Sequence, residues 1–251
     1  MAKDPRKRQK QQERRAAKRQ AKHRQLARVK SAGLPERLST AVQYPVLHSW
    51  VTNDLWTEGL GWVCLSRQLP NGQVAYAVFL VDRYCLGVKN AMAGIVGRFT
   101  YDNQIVRKMR REASAKELTP AAARKLVEGA VAYAHALGLP PHPDYQTARL
   151  LFGDIDPAES TDEFEFGKDG KPFFVAGPND TPDRCRRILR ALEQSHGPGG
   201  FDFLMPMGSL EGFQEALPGK EVHLIGPEET GTRDDLPVDF PQDQGPPGEQ
   251  P

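Results

Sequence analysis

The chain is short of the features that mark several protein classes. It has only three cysteines, Cys64, Cys85 and Cys185, and no CxxC pair, which argues against a disulfide scaffold and a zinc-finger framework. No apolar run approaches the roughly 18–20 residues of a membrane-spanning helix, so no membrane partner is expected. The first thirty residues hold no apolar stretch of the kind a secretory signal needs, and they fit a mitochondrial presequence badly.

Catalytic and nucleotide-binding signatures are absent as well. Gly59 with Gly61, and Gly94 with Gly97, do not make GxGxxG, and there is no GxxxxGK[ST]. The six histidines form no HExxH or HxH, and Ser66, Ser160, Ser195 and Ser209 lack a GxSxG elbow. The acidic stretch holding Asp154, Asp156, Glu159, Asp162, Glu163 and Glu165 does not follow the EF-hand spacing and reads as a solvated loop. No cofactor, no metal site and no reaction is specified.

What is present is a marked partition of charge. The 251 residues carry a formal net charge of only +2 and a mean hydropathy of −0.57. Residues 1–30, however, hold 13 Lys/Arg and two acids, a net of +11. Residues 226–251 hold seven acids and Arg233, a net of −6, and the 195 residues between have a net of −3. The expected organisation is a basic arm over 1–30, a hinge over 31–44, a globular domain over 45–225 and an acidic, Pro/Gly-rich, disordered tail over 226–251.

After Pro5 the arm has no Gly or Pro until Gly33, and Gln, Arg, Lys, Ala and Glu all favour helix. Its apolar content is too thin to pack on a core, so it is expected to be frayed until a polyanion neutralises it. Arg6, Lys7, Arg8, Lys10, Arg14, Arg15, Lys18, Arg19, Lys22, Arg24, Arg28 and Lys30 are the candidate phosphate contacts. Arg107, Lys108, Arg110 and Arg111, in a cationic helical stretch over 103–117, extend the footprint, with Arg107, Arg110 and Arg111 on one α-helical face.

The body reads as α+β: a single domain with two antiparallel hairpins packed against two or three helices. Residues 62–69 and 73–81 flank Pro70-Asn71-Gly72; taking Asn71 and Gly72 as a two-residue turn places Cys64 opposite Phe79. Residues 74–81 are apolar without alternation, as in a strand covered on both faces, and residues 62–66 alternate, as in a more exposed neighbour. A second hairpin is expected about Asp169-Gly170. Thr119-Pro120 and Thr181-Pro182 each pair an N-cap with a proline at the first helical position, and Gly138 and Gly197 mark the two stops. A short helix is expected over 144–152, and late strands over 201–207 and 222–225, the second at an edge.

Within that body the candidate catalytic residues are Asp82, Lys89, His142 and Asp144. Asp82 ends the buried strand, with Lys89 seven residues on, and His142 stands near Asp144 as a base stands near its orienting carboxylate. Each has a simpler role, Asp82 as a strand-end cap and Asp144 as a helix cap. Asp180 and Thr181 read as capping residues, and Trp50, Trp56 and Trp62 as core packing.

The reading that absorbs most of these features is a nucleic-acid-associated protein, directed to RNA or ribonucleoprotein, working in the cytoplasm, or in the nucleus where the cell has one. The arm carries no groove-reading motif, which favours RNA over DNA. Two alternatives stand beside it. One is an enzyme of unknown reaction with its site near Asp82, Lys89, His142 and Asp144. The other is a scaffold whose arm binds an acidic protein.

Overall fold

The computed structural model describes residues 33–112, 114–177, 180–206 and 223–225, with backbone alone at 111, 112, 206 and 223–225. The basic arm and the acidic tail lie outside the described residues.

Residues 31–44, expected as a hinge, instead contribute a helix. Pro35 sits in the first turn of α1 (Leu34–Ala41), and Leu38 and Ala41 are buried against the main core. The chain then builds an antiparallel sheet from β1 (Val46–Val51), β2 (Leu60–Gln68), β3 (Gln73–Asp82), β4 (Gly87–Gly97) and the short β5 (Lys116–Glu117). Its order is β4-β3-β2-β1-β5, and the single turn α2 (Asp54–Thr57) links β1 to β2.

The β2–β3 turn has three loop residues, not two. Leu69 faces Gln73, its N–H donating to the Gln73 carbonyl at 2.9 Å, with Gly72 at φ +76° supplying the left-handed residue such loops require. The register is therefore displaced by one from the two-residue expectation, and Cys64 faces Val78. Cys64, Cys85 and Cys185 are all buried free thiols.

One face of the sheet carries Val63, Leu65, Ala77 and Phe79. It packs on α4 (Pro120–Ala136) through Ala123, Leu126, Val127 and Ala130, and on α5 (Tyr145–Ala148) with its 3-10 extension Arg149–Phe152. Thr119 caps α4 as expected, its Oγ1 accepting from the Ala122 N–H at 3.2 Å.

The opposite face carries Trp62, Cys64, Tyr76 and Val78, and it is also covered. A single-turn helix, α3 (Arg98–Tyr101), runs into a π-helical segment, Asp102–Glu112, that lays Tyr101, Ile105 and Met109 on it. Their uniform spacing of four suits a winding wider than an α-helix, which alternates steps of three and four. With both faces covered, β2 is buried from Gly61 to Arg67, so the alternation read there is two-sided packing, not exposure.

A second core forms beyond α4. The Asp169-Gly170 turn closes with both residues at positive φ, +52° and +79°, as a type I′ turn requires. Its antiparallel pairing stops at one bridge, Lys168–Lys171. The following β6 (Phe173–Val175) pairs in parallel with β7 (Asp202–Pro206), and β8 (His223–Ile225) completes the row β6-β7-β8 at its edge. Parallel pairing of β6 and β7 needs a crossover, which α6 (Pro182–His196) supplies. Cys185, Ile188, Leu189 and Leu192 of α6 pack on Phe174, Phe203 and Met205, and on Cys85 and Leu86 from the β3–β4 turn. The fold is α+β, with antiparallel hairpins packed on helices and a small parallel unit joined through that turn.

Candidate functional site

The β3–β4 turn is the hinge between the two cores, and Asp82 builds it. Its Oδ1 accepts the backbone N–H groups of Tyr84 and Cys85, both at 3.0 Å. Burial pushes the Asp82 carboxyl up to about 6, against the opposing pull of those hydrogen bonds and of the Lys89 charge. At the far side of the turn Gly87, at φ +64°, lies so close to α4 that a Cβ would come within 2.6 Å of the Ala130 carbonyl oxygen. Asp82 is thus the cap of a strand end, and the turn it fixes delivers Leu86, Val88 and Lys89 to one wall of a cavity of about 490 Å³.

The second wall is the loop that follows α4, where Gly138 ends the helix and Pro140 and Pro141 precede the turn at Pro143 that opens α5. His142 lines the cavity, and its backbone N–H donates to the Val88 carbonyl at 2.9 Å, tying loop to strand. Its Nδ1 accepts the Asp144 N–H at 3.3 Å. In the neutral ring the proton then sits on Nε2. The Asp144 carboxylate is 3.8 Å from Nδ1 and points largely into solvent, so it neither orients the imidazole nor bonds to the N-terminus of α5.

The third wall is one face of α6, presenting Arg184, Arg187, Ile188 and Ala191 at helical spacing. Thr181 fixes the start of that helix, its Oγ1 accepting from the Arg184 N–H at 3.3 Å. Asp180, just before it, is more than a cap. Its carboxylate is 2% exposed, accepts the Gly177 N–H at 2.9 Å, and lies 3.0 Å from Arg184 Nε and 3.7 Å from Lys89 Nζ. Arg187 makes no ion pair with a described residue, and Asp183 pairs outward with Arg186.

Of the four residues singled out as catalytic candidates, the fold brings two, Lys89 and His142, to a common cavity. Asp82 supports it from behind, and Asp144 stays outside. The residues that sequence reasoning passed over are Arg184 and Arg187. Their signal was their position one turn apart on a helix whose start Thr181-Pro182 had already fixed, with Ile188 and Ala191 continuing the same face.

The thiols offer no nucleophile. Burial pushes Cys64 up to about 12, and raises Cys85 and Cys185 likewise, so all three stay protonated.

The second place of interest is the π-helical segment. Arg107 and Arg110 are exposed, Lys108 is half-buried, and the Arg110 guanidinium lies 5.7 Å from the Trp50 ring centre. The wider winding removes Arg110 from the face it would share with Arg107 in an α-helix. Arg111 and the arm cations lie among the side chains not described. Among the described residues no helix is long and apolar enough to cross a membrane. Comparison with protein-family models, with curated proteins and with solved structures gives no match to this chain.

Proposed function

We propose that the protein binds RNA, alone or within a ribonucleoprotein, with the basic arm supplying phosphate contacts and the folded body supplying position. The observation that carries this reading is the density of the arm: 13 cations and two acids in 30 residues. Cations at that density repel one another over distances within a Debye length, and a phosphate backbone relieves the repulsion while releasing its own counterions. Arg107, Lys108 and Arg110 add cations to the body, on different faces of the segment that covers the Trp50 face of the sheet.

Binding of this kind depends on salt in a predictable way. If about 4–8 arm cations meet phosphates of a single strand, log K falls against log[salt] with a slope of roughly −3 to −6. The test is a salt titration of RNA binding by the full chain and by a variant in which the arm's Lys and Arg are replaced by Gln. The neutralised variant is expected to lose most of the affinity and most of the slope. Equal affinity and slope in both proteins would refute the reading, and a nuclease-insensitive pull-down of an acidic protein would replace it with the scaffold alternative.

A further inference from the structure

The cavity between β4, the proline loop and α6 has a chemistry that phosphate-backbone binding by the arm does not use. Three cations line it, Lys89, Arg184 and Arg187, and one carboxylate, Asp180, stands behind two of them. Lys89, Arg184 and Arg187 against Asp180 give +2, and the Asp82 carboxylate behind Lys89 brings the local balance to +1, a positive excess that favours an anion such as a phosphate monoester, which carries about −1.5 to −2 near neutral pH. Guanidinium groups present paired donors that fit phosphate oxygens, and Arg184 and Lys89 are already held by Asp180, so less side-chain freedom is lost on binding.

The rest of the cavity is not built for an inorganic ion. Leu86, Val88, Leu139 and Ile188 give it apolar walls, and a volume of about 490 Å³ lies within the roughly 300–1,000 Å³ of small-molecule sites, far larger than a bare phosphate needs. We infer that this cavity binds an organic phosphate monoester, its phosphate held by Lys89, Arg184 and Arg187 and its apolar body seated against the leucine, valine and proline walls. His142, with Nδ1 occupied by the Asp144 N–H, presents Nε2–H as a further donor. Such an ester is either a free metabolite or the terminal phosphate of an RNA chain. The site stands or falls independently of the arm.

The test uses the full chain, near 150 mM salt so that adsorption to the arm is screened. Its probes are phenyl phosphate, inorganic phosphate and phenol, read by calorimetry. Phenyl phosphate is expected to bind at least about tenfold more tightly than either of the others, because only it carries both charge and body. Arg187→Gln, at an exposed position, is expected to weaken it about five- to tenfold, and Ala191→Trp, which fills the cavity, to abolish it. Replacing the arm's Lys and Arg by Gln is expected to leave it unchanged, a result that holds whether or not the arm binds RNA. Phenyl phosphate binding no more tightly than inorganic phosphate overturns the proposal. So does binding that is indifferent to Arg187→Gln but lost with the arm's charge. Once phenyl phosphate binding is in hand, matched RNA oligomers with a 5′-phosphate or a 5′-hydroxyl separate the two sources. A preference for the phosphorylated end that Arg187→Gln removes assigns the site to RNA termini, and equal binding assigns it to a free ester.

Discussion

Lys89 on β4 and Asp180 ahead of α6 meet at 3.7 Å, and this contact joins the antiparallel sheet to the small parallel unit. The Asp180 carboxylate is almost wholly buried, yet the backbone N–H of Gly177 and the Arg184 side chain complete its shell. A buried charge is tolerated only with such partners, and it is the removal of one partner that costs most.

Asp180→Asn tests the junction. The amide keeps an acceptor for the Gly177 N–H but removes the negative charge that Asp180 holds against Lys89 and Arg184. Arg184 is partly exposed, so its share is reduced by solvent screening and Lys89 dominates. A loss of about 1–3 kcal/mol in unfolding free energy is expected, measured by urea denaturation. A change smaller than about 0.3 kcal/mol would show that the contact contributes nothing to the junction.

Asp82 predicts a pH dependence of opposite sign to that of a paired carboxylate. Burial raises its folded-state value to about 6, above the roughly 3.9 of an unfolded chain. The native state therefore holds the proton more tightly than the unfolded state. The stabilisation is fully present below about pH 4 and is lost as pH rises through about 6. A difference of some two units corresponds to roughly 3 kcal/mol at most. In Asp82→Asn this slope should vanish while the acceptor for Tyr84 and Cys85 remains. The variant's stability relative to the native protein should then rise between pH 4 and 7 and level off above. A difference that does not vary with pH sinks the assignment.

A third prediction concerns the buried hydroxyls beneath the π-helical segment. The Tyr101 hydroxyl sits 2.8 Å from Ser66 Oγ and 2.9 Å from His48 Nδ1, and the His48 ring stacks on Trp50 at 4.1 Å. Burial pushes the Tyr101 phenol well above its ordinary range and, with the nearby Arg98 charge, lowers His48, so both groups stay neutral near pH 7. Tyr101→Phe keeps the ring in place and takes the hydroxyl partner from His48 Nδ1, while Ser66 Oγ keeps its hydrogen bonds to the His48 backbone. About 1–3 kcal/mol should be lost, with most of the β-sheet circular dichroism retained. If the variant is as stable as the native chain, the relay is incidental.

Local signals carried much of the fold. Thr119-Pro120 and Thr181-Pro182 each open the helix they predict, because cap and proline act within one turn and need nothing from the rest of the chain. The uninterrupted apolar run of β3 reported its two covered faces for the same reason. The signals that failed depend on distant partners. Asp169-Gly170 makes its turn, yet Phe174 is drawn into the second core beside Phe203, so the strand that follows pairs in parallel with β7. Leu34–Ala41 looked like a linker because its apolar positions are few, and it is the burial of Leu38 and Ala41 that shows it to be docked. The cavity was half legible. Lys89 and His142 were chosen for proximity to Asp82 and Asp144 in sequence, whereas the residues that share their cavity, Arg184 and Arg187, come from a helix some forty residues beyond His142 and nearly a hundred beyond Lys89.

The final prediction follows from the two ends of the chain. A net of +11 over residues 1–30 and −6 over residues 226–251 attract each other whatever their conformations. On one chain the acidic segment is present near the arm at an effective concentration that reaches the millimolar range, so it competes with every polyanion the arm meets. Individual exposed ion pairs contribute only about 0–1 kcal/mol and are screened by salt, so the competition is modest and fades by a few hundred millimolar. Deleting residues 226–251 should raise affinity for random-sequence RNA severalfold at about 50 mM salt and change little at about 300 mM. The salt slope should steepen in the deleted protein, because the arm then exchanges only small counterions for phosphate. Parallel slopes with equal low-salt affinities would mean that the tail does not reach the arm, and the competition model would be wrong.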